Sequence, residues 1–190
     1  MLGLYDFLER LTKRYPDLLI EGCSGGGGRF DAGMLYYTPQ IWCSDNTDAV
    51  DRIRIQYGTS FGYPISAVGS HVSAVPNHQT GRITPMKTRG VVAMAGSFGY
   101  ELNLSAISEE DKNCVREQID AYHKYWHLIH DGAYYRLTNP FEDREAAAWL
   151  FVSEDKGEAL LNTVALETHG NPLSLYVTLG GLDPEAMYRG

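Results

Sequence analysis

The sequence predicts an α/β fold: a parallel α/β layer or barrel over residues 1–132, followed by part of an antiparallel β-sandwich over 133–190. Three observations predict it. Short strand-like segments alternate with helical patterns as far as Gly132, which calls for a parallel sheet in an α/β layer or barrel. Beyond Gly132 the strand-length segments "AYYRLTN", "AAAWLFVSE", "EALLNTVALE" and "LSLYVTLGG" follow one another between turn residues, as antiparallel strands do. Neither part has the length of a whole unit. About four β/α units are half of a barrel of ~250 residues, and about 60 residues of β-structure fall short of a ~100-residue sandwich.

Each element has a local reason. Leu4, Phe7, Leu8 and Leu11 recur at helical spacing, so residues 3–14 read as an amphipathic helix stopped before Pro16. "DLLIEGC" is a short buried strand, "GGGGRFDAG" a turn-rich loop, and "QIWCSD" the end of a strand after Pro39. A helix from about Thr47 to Tyr57 follows, with Val50, Ile53 and Tyr57 on one face. Strands are expected near Ile65–Val72 and over Val91–Ala95. Ser108 opens the capping box "SEED" of a long helix marked by Val115, Ile119, Tyr122, Trp126 and Ile129, with Gly132 as its stop.

With 190 residues, 44% hydrophobic content and no low-complexity tract, the chain has the composition of a folded globular protein. A net charge of −8 with scattered basic residues leaves no footprint for nucleic acid. No apolar run nears the ~20 residues of a membrane helix, and the first residues lack the pattern of an export signal. A cytoplasmic location and no membrane partner are expected. Three cysteines without paired spacing fit free thiols in a reducing compartment.

Four motifs carry possible chemistry. "CSGGGGRFD" follows a strand but lacks the Lys-Ser/Thr of a phosphate loop, so nucleotide binding is not expected; its glycines serve either close approach to a ligand or a plain turn. Cys23 near His71 or His78 would be a nucleophile only if the fold joined them, and the commoner outcome is a packed thiol. Cys23, Cys43, His71 and His78 lack metal-ligand spacing, so neither metal nor other cofactor is expected. Asp45 and Asp48 close a strand and open a helix. They serve either as caps, or as acids at the strand end where barrel enzymes place their chemistry. The spacing of Asp48 and Arg52 also suits an i, i+4 ion pair at this junction. The thirteen Tyr and three Trp suit a core and a sugar site equally.

The ordered set "LIEGCSGGGGRFDAGMLYYTPQIWCSDNTDAVDRIRIQYGTSFGYP", "GSHVSAVPNHQTGR", "RGVVAMAGSFGYELNLS", "YRLTNPFE", "SEDKGEALL" and "LGGLDPEAMYRG" resembles the α-galactosidases of glycoside hydrolase family 36 over essentially the whole chain. The resemblance implies retaining hydrolysis of terminal α-galactosyl groups from melibiose- and raffinose-type oligosaccharides. It implies the C-terminal half of a TIM-like barrel followed by a partial β domain. Asp45, the first aspartate of "SDNTDA", would be the acid/base; Cys23, Ser24, Gly25 and Gly26 would contact galactose and Trp42 would wall the site. Burial beside Trp42 and a nearby negative nucleophile would keep Asp45 protonated. Asp48 would be a helix-start residue or orienter. Family members are often homo-oligomers.

One departure from the family pattern is large: no "KWDxNR"-type motif, which carries the nucleophilic aspartate, occurs in these residues. The chain is therefore expected to be a C-terminal piece, inactive and poorly soluble alone. The alternatives are a non-catalytic galactose-binding or structural remnant, or part of an α-galactosyl transferase of the same fold.

Overall fold

The computed structural model describes residues 2–23, 25–171 and 174–190. Helix α1 (Leu2–Arg14) leads into four short parallel strands, β1 (Glu21–Gly22), β2 (Gln40–Ile41), β3 (Gly69–Ser73) and β4 (Ser97–Glu101). Between and after them run α2 (Ala32–Tyr37), α3 (Ala49–Thr59), α4 (Met86–Ala93) and α5 (Glu109–Asp131). Strand β1 pairs with β2 and β3 with β4, while an Ile41–Val68 bridge joins the two pairs, so the strands lie side by side in chain order. This is the layout of consecutive β/α units, and it places every strand's C-terminal end on one rim.

The antiparallel sheet β5 (Ala133–Arg136), β6 (Ala146–Val152) and β7 (Ala159–Ala165) follows. Strand β6 is buried along its whole length. One apolar cluster runs from Ala49, Ile53, Val68, Val92 and Leu128 into Trp149, Phe151 and Val164, so the helical layer rests on this sheet.

Helix α5 starts as read, with the Ser108 hydroxyl accepting from Asp111 N–H at 3.0 Å. Gly132 ends it without a left-handed turn (φ −72°): a Cβ there would lie 2.4 Å from the Leu128 carbonyl oxygen, so glycine is needed for space. The apolar stripe is rotated from the expected one. Val115, Gln118, Leu128 and Ile129 are buried, whereas Ile119 and Trp126 are exposed, because α5 also covers α4 through Gln118.

Three other elements differ from the sequence reading. Val91–Ala95 is no strand: residues 91–93 complete α4, whose Gly90 lies so close to Gln118 that a Cβ would fall 2.1 Å from its amide nitrogen. A five-residue apolar run fits a buried helix end as well as a strand. The "FDAG" stretch opens α2, capped by Asp31, whose carboxylate accepts from Met34 N–H at 2.8 Å and from the Tyr5 hydroxyl at 2.6 Å. The described part of "LSLYVTLGG", residues 174–181, pairs with no strand.

Candidate functional site

The rim at the strand ends is assembled by backbone first. Gly25, Gly26 and Gly27 take φ values of 63°, 72° and 87°, the left-handed region that favours glycine. A Cβ on Gly26 would lie 2.9 Å from the Asp45 backbone nitrogen, and one on Gly27 3.0 Å from the Cys43 carbonyl oxygen. The glycine run is therefore laid directly on the segment after β2. Ser24 lies outside the described residues.

Beyond β2, Asp48 caps α3: its Oδ1 accepts from Val50 and Asp51 N–H, each at 3.0 Å. Its other oxygen, Oδ2, accepts from the Thr80 hydroxyl at 2.7 Å, and Arg82 closes an ion pair on Oδ1. The loop after β3 grips the neighbouring residue as well. Asn77 Nδ2 donates to the Thr47 hydroxyl (3.0 Å), the Ser73 hydroxyl donates to the Thr47 carbonyl (2.9 Å), and Thr47 N–H donates to Gln79 Oε1 (3.2 Å). Burial pushes the Asp48 carboxyl up, but the Thr80 hydroxyl, the helix N–H groups and Arg82 outweigh it and hold the group below the usual carboxylate range. Asp48 is thus the structural member of the pair.

The expected Asp48–Arg52 ion pair does not form. Helix α3 buries Ala49, Arg52, Ile53 and Gln56, one position round from the predicted face, and this turns Arg52 inward. There its guanidinium donates to the Gly69 carbonyl (2.6 Å), the Ser44 carbonyl (3.3 Å) and Gln56 Oε1 (3.3 Å), and lies 4.9 Å from the Trp42 ring centre. Arg82, 34 residues from Asp48, takes the role expected of Arg52.

Asp45 itself is exposed, and its carboxylate has no hydrogen-bond or ion-pair partner among the described residues. The burial expected for it beside Trp42 is not met within these residues, because the indole is held against His71 and Arg52. A carboxyl on an open rim with a fixed backbone and a free side chain can reach an incoming ligand.

Trp42 stacks on His71, their ring centres 4.6 Å apart, and His71 Nδ1 lies 3.8 Å from Glu101 Oε2. Gly99, the partner of His71 across the β3–β4 ladder, leaves room for the imidazole: a Cβ there would lie 3.1 Å from Cδ2. Glu21, Cys23, Trp42, His71, Tyr100 and Glu101 line an open cleft of about 330 Å³. The structure therefore puts Cys23 and Trp42 on one wall and sets Gly26 against Asp45, while Asp45, Gly25 and Gly26 stand outside that wall. Glu21, Tyr100 and Glu101 were missed as lining residues. Their signal was position, since each ends or nearly ends a parallel strand. His71 lies in β3, within the strand expected near Ile65–Val72, whose first residues, Ile65–Ala67, form a 3-10 turn instead.

The model of the melibiase family matches residues 1–132, and the glycosyl hydrolase family 36 C-terminal domain matches 146–190. The chain is 65% identical over 188 residues to the bifunctional alpha-galactosidase/sucrose kinase AgaSK of Mediterraneibacter gnavus, which covers 99% of this chain and 20% of that protein. The solved galactosidase domain of AgaSK superposes with a TM-score of 0.94 at 66% identity, over 96% of this chain and 25% of that one. A variant of the Geobacillus stearothermophilus GH36 alpha-galactosidase AgaA, solved in complex with raffinose, gives 0.93 at 54% identity, over 96% of this chain and 25% of that one. The chain spans between a fifth and a quarter of the length of these relatives. With the family model accounting for 132 of its 190 residues, all four parallel strands included, the chain belongs to the melibiase family.

Proposed function

We propose that this chain supplies the acid/base side of a retaining α-galactosidase site, acting on terminal α-galactosyl groups of raffinose- and melibiose-type oligosaccharides. The observation that carries the proposal is the Gly26–Asp45 contact: a bare backbone loop packed on the backbone of one exposed carboxylate, at the shared C-terminal rim of four parallel strands. Relatives of 65% and 54% identity bear the name alpha-galactosidase, and one of them is solved with raffinose. In this reading residues 1–132 are the C-terminal half of a (β/α)8 barrel, and 133–190 are part of the β domain behind it. Free thiols at Cys23, Cys43 and Cys114 support a cytoplasmic setting.

The chemistry divides between two carboxyl groups about 5–5.5 Å apart. Asp45 donates its proton to the departing glycosidic oxygen while a second carboxylate, from residues beyond these 190, attacks the anomeric carbon. Asp45 then takes a proton from the water that releases galactose with its configuration retained. Asp45 is exposed here, so the bound sugar and the nucleophile's side of the barrel complete its surroundings. Gly25, Gly26, Cys23 and Ser24 bring backbone and small groups to the sugar, and Trp42 gives it a flat wall.

The test uses Asp45→Ala in a protein of the relatives' length that carries this segment. Turnover of raffinose should fall by about 10²-fold or more. Azide, which needs no general base, should restore turnover of a nitrophenyl α-galactoside and yield an α-configured galactosyl azide. Unchanged raffinose turnover, or no response to azide, would sink the assignment.

A further inference from the structure

Arg52 is a buried cation, 2% exposed, with no carboxylate partner among the described residues. Burying a guanidinium costs several kcal/mol unless its donors are satisfied, and a Met or Leu on this inward face of α3 would pack without that cost. Its donors instead reach the Gly69 carbonyl on β3, the Ser44 carbonyl in the segment after β2 and the amide oxygen of Gln56, and the guanidinium faces Trp42. Gln56 is itself fixed, accepting from the Ser70 hydroxyl at 2.7 Å and donating to the Val92 carbonyl at 3.1 Å. The carbonyl held at 3.3 Å belongs to Ser44, whose carbon carries the nitrogen of Asp45.

We propose that Arg52 is a positioning residue of the sugar site, one guanidinium fork setting together the backbone that presents Asp45 and the indole plane of Trp42. This rests on the reading of Asp45 as the acid/base. Lysine keeps the charge but offers a point donor in place of a planar fork, so it cannot hold both carbonyls and face the ring. Displacing Asp45 by a fraction of an ångström weakens proton donation far more than it weakens sugar binding.

The experiment compares Arg52→Lys with wild type and Asp45→Ala in the full-length protein, on melibiose, whose leaving group needs protonation, and on 4-nitrophenyl α-galactoside, whose leaving group does not. For Arg52→Lys, kcat/KM, which reports the galactosylation step that needs the acid, should fall by about 10²-fold on melibiose and by less than about 5-fold on the nitrophenyl substrate, whose kcat and KM fall together because both substrates share the water step that needs Asp45 as base. Equal losses on the two substrates, or a loss that tracks thermal stability alone, would overturn the proposal. Should Arg52→Lys not fold, Gln56→Met, which frees the guanidinium Nε, should give the same unequal pattern at smaller size; equal losses would again refute it. If Asp45→Ala itself shows no leaving-group dependence, the acid/base reading has failed. If Asp45→Ala shows it and Arg52→Lys does not, only the role of Arg52 has failed.

Discussion

Replacing Asp48 separates two jobs that one carboxylate performs. Asp48→Asn keeps an oxygen for the Val50 and Asp51 N–H groups, and Asn caps helices as well as Asp does, so the helix start should lose only a few tenths of a kcal/mol. What goes is the charge facing Arg82 and the second oxygen that accepts from Thr80. Hydrogen bonds to a charged group contribute about 1.5–3 kcal/mol. Since the Arg82 side chain is 42% exposed and regains water when released, the lower part of that range applies, and Asp48→Asn should cost about 2 kcal/mol. Asp48→Ala removes the cap as well and should cost about 3 kcal/mol. Urea unfolding of the full-length protein, followed by tryptophan fluorescence, measures both. A double-mutant cycle then locates the partner: coupling of about 1 kcal/mol between Asp48 and Arg82, and under about 0.5 between Asp48 and Arg52. Equal costs for Asn and Ala, or coupling to Arg52 in place of Arg82, would refute the account.

Three further outcomes are expected. Because the folded state depresses the Asp48 pKa, its stabilisation is fully present above the unfolded value of about 3.9 and lost as pH falls through the lower folded value; the stability gap between wild type and Asp48→Asn should be constant above about pH 5 and close below pH 4 in urea titrations. Gly26→Ala combines a left-handed backbone, costing about 1–2 kcal/mol, with a methyl 2.9 Å from the Asp45 nitrogen. In the full-length protein it should lower kcat by about 10²-fold, a loss that intact turnover would contradict. Trp149 is 5% exposed and its indole N–H has no partner among the described residues, so Trp149→Phe should cost no more than about 1 kcal/mol, against 3–5 for Trp149→Ala, by the same urea assay.

Local signals were read well where they act locally. The Ser108 cap and the length of α5 are both set by neighbours in sequence, and both are found in the fold. Errors arose where a distant residue decides. Val91–Ala95 enters a helix end because Gln118 covers Gly90, and α3 turns Arg52 inward because carbonyls from β3 and the end of β2 await it. The Asp48–Arg52 spacing was the only local pair on offer, while the true partner stands in a loop held by Thr47, Ser73 and Asn77. For the candidate site, the family resemblance named Trp42, Asp45 and the glycines, and the fold places Trp42 in the cleft and Gly26 against Asp45. The cleft with Glu21, His71, Tyr100 and Glu101 depends on strands brought side by side.

The triple-glycine crossing has an implication for how such a site can diversify. A stretch whose φ angles and clearances admit no β-carbon at Gly26 or Gly27 offers no side chains to exchange, so it cannot be tuned for a new sugar by single substitutions. On the proposed reading, preference among galactosides is then written elsewhere on the rim, at positions such as His71 and Glu101 that carry replaceable groups.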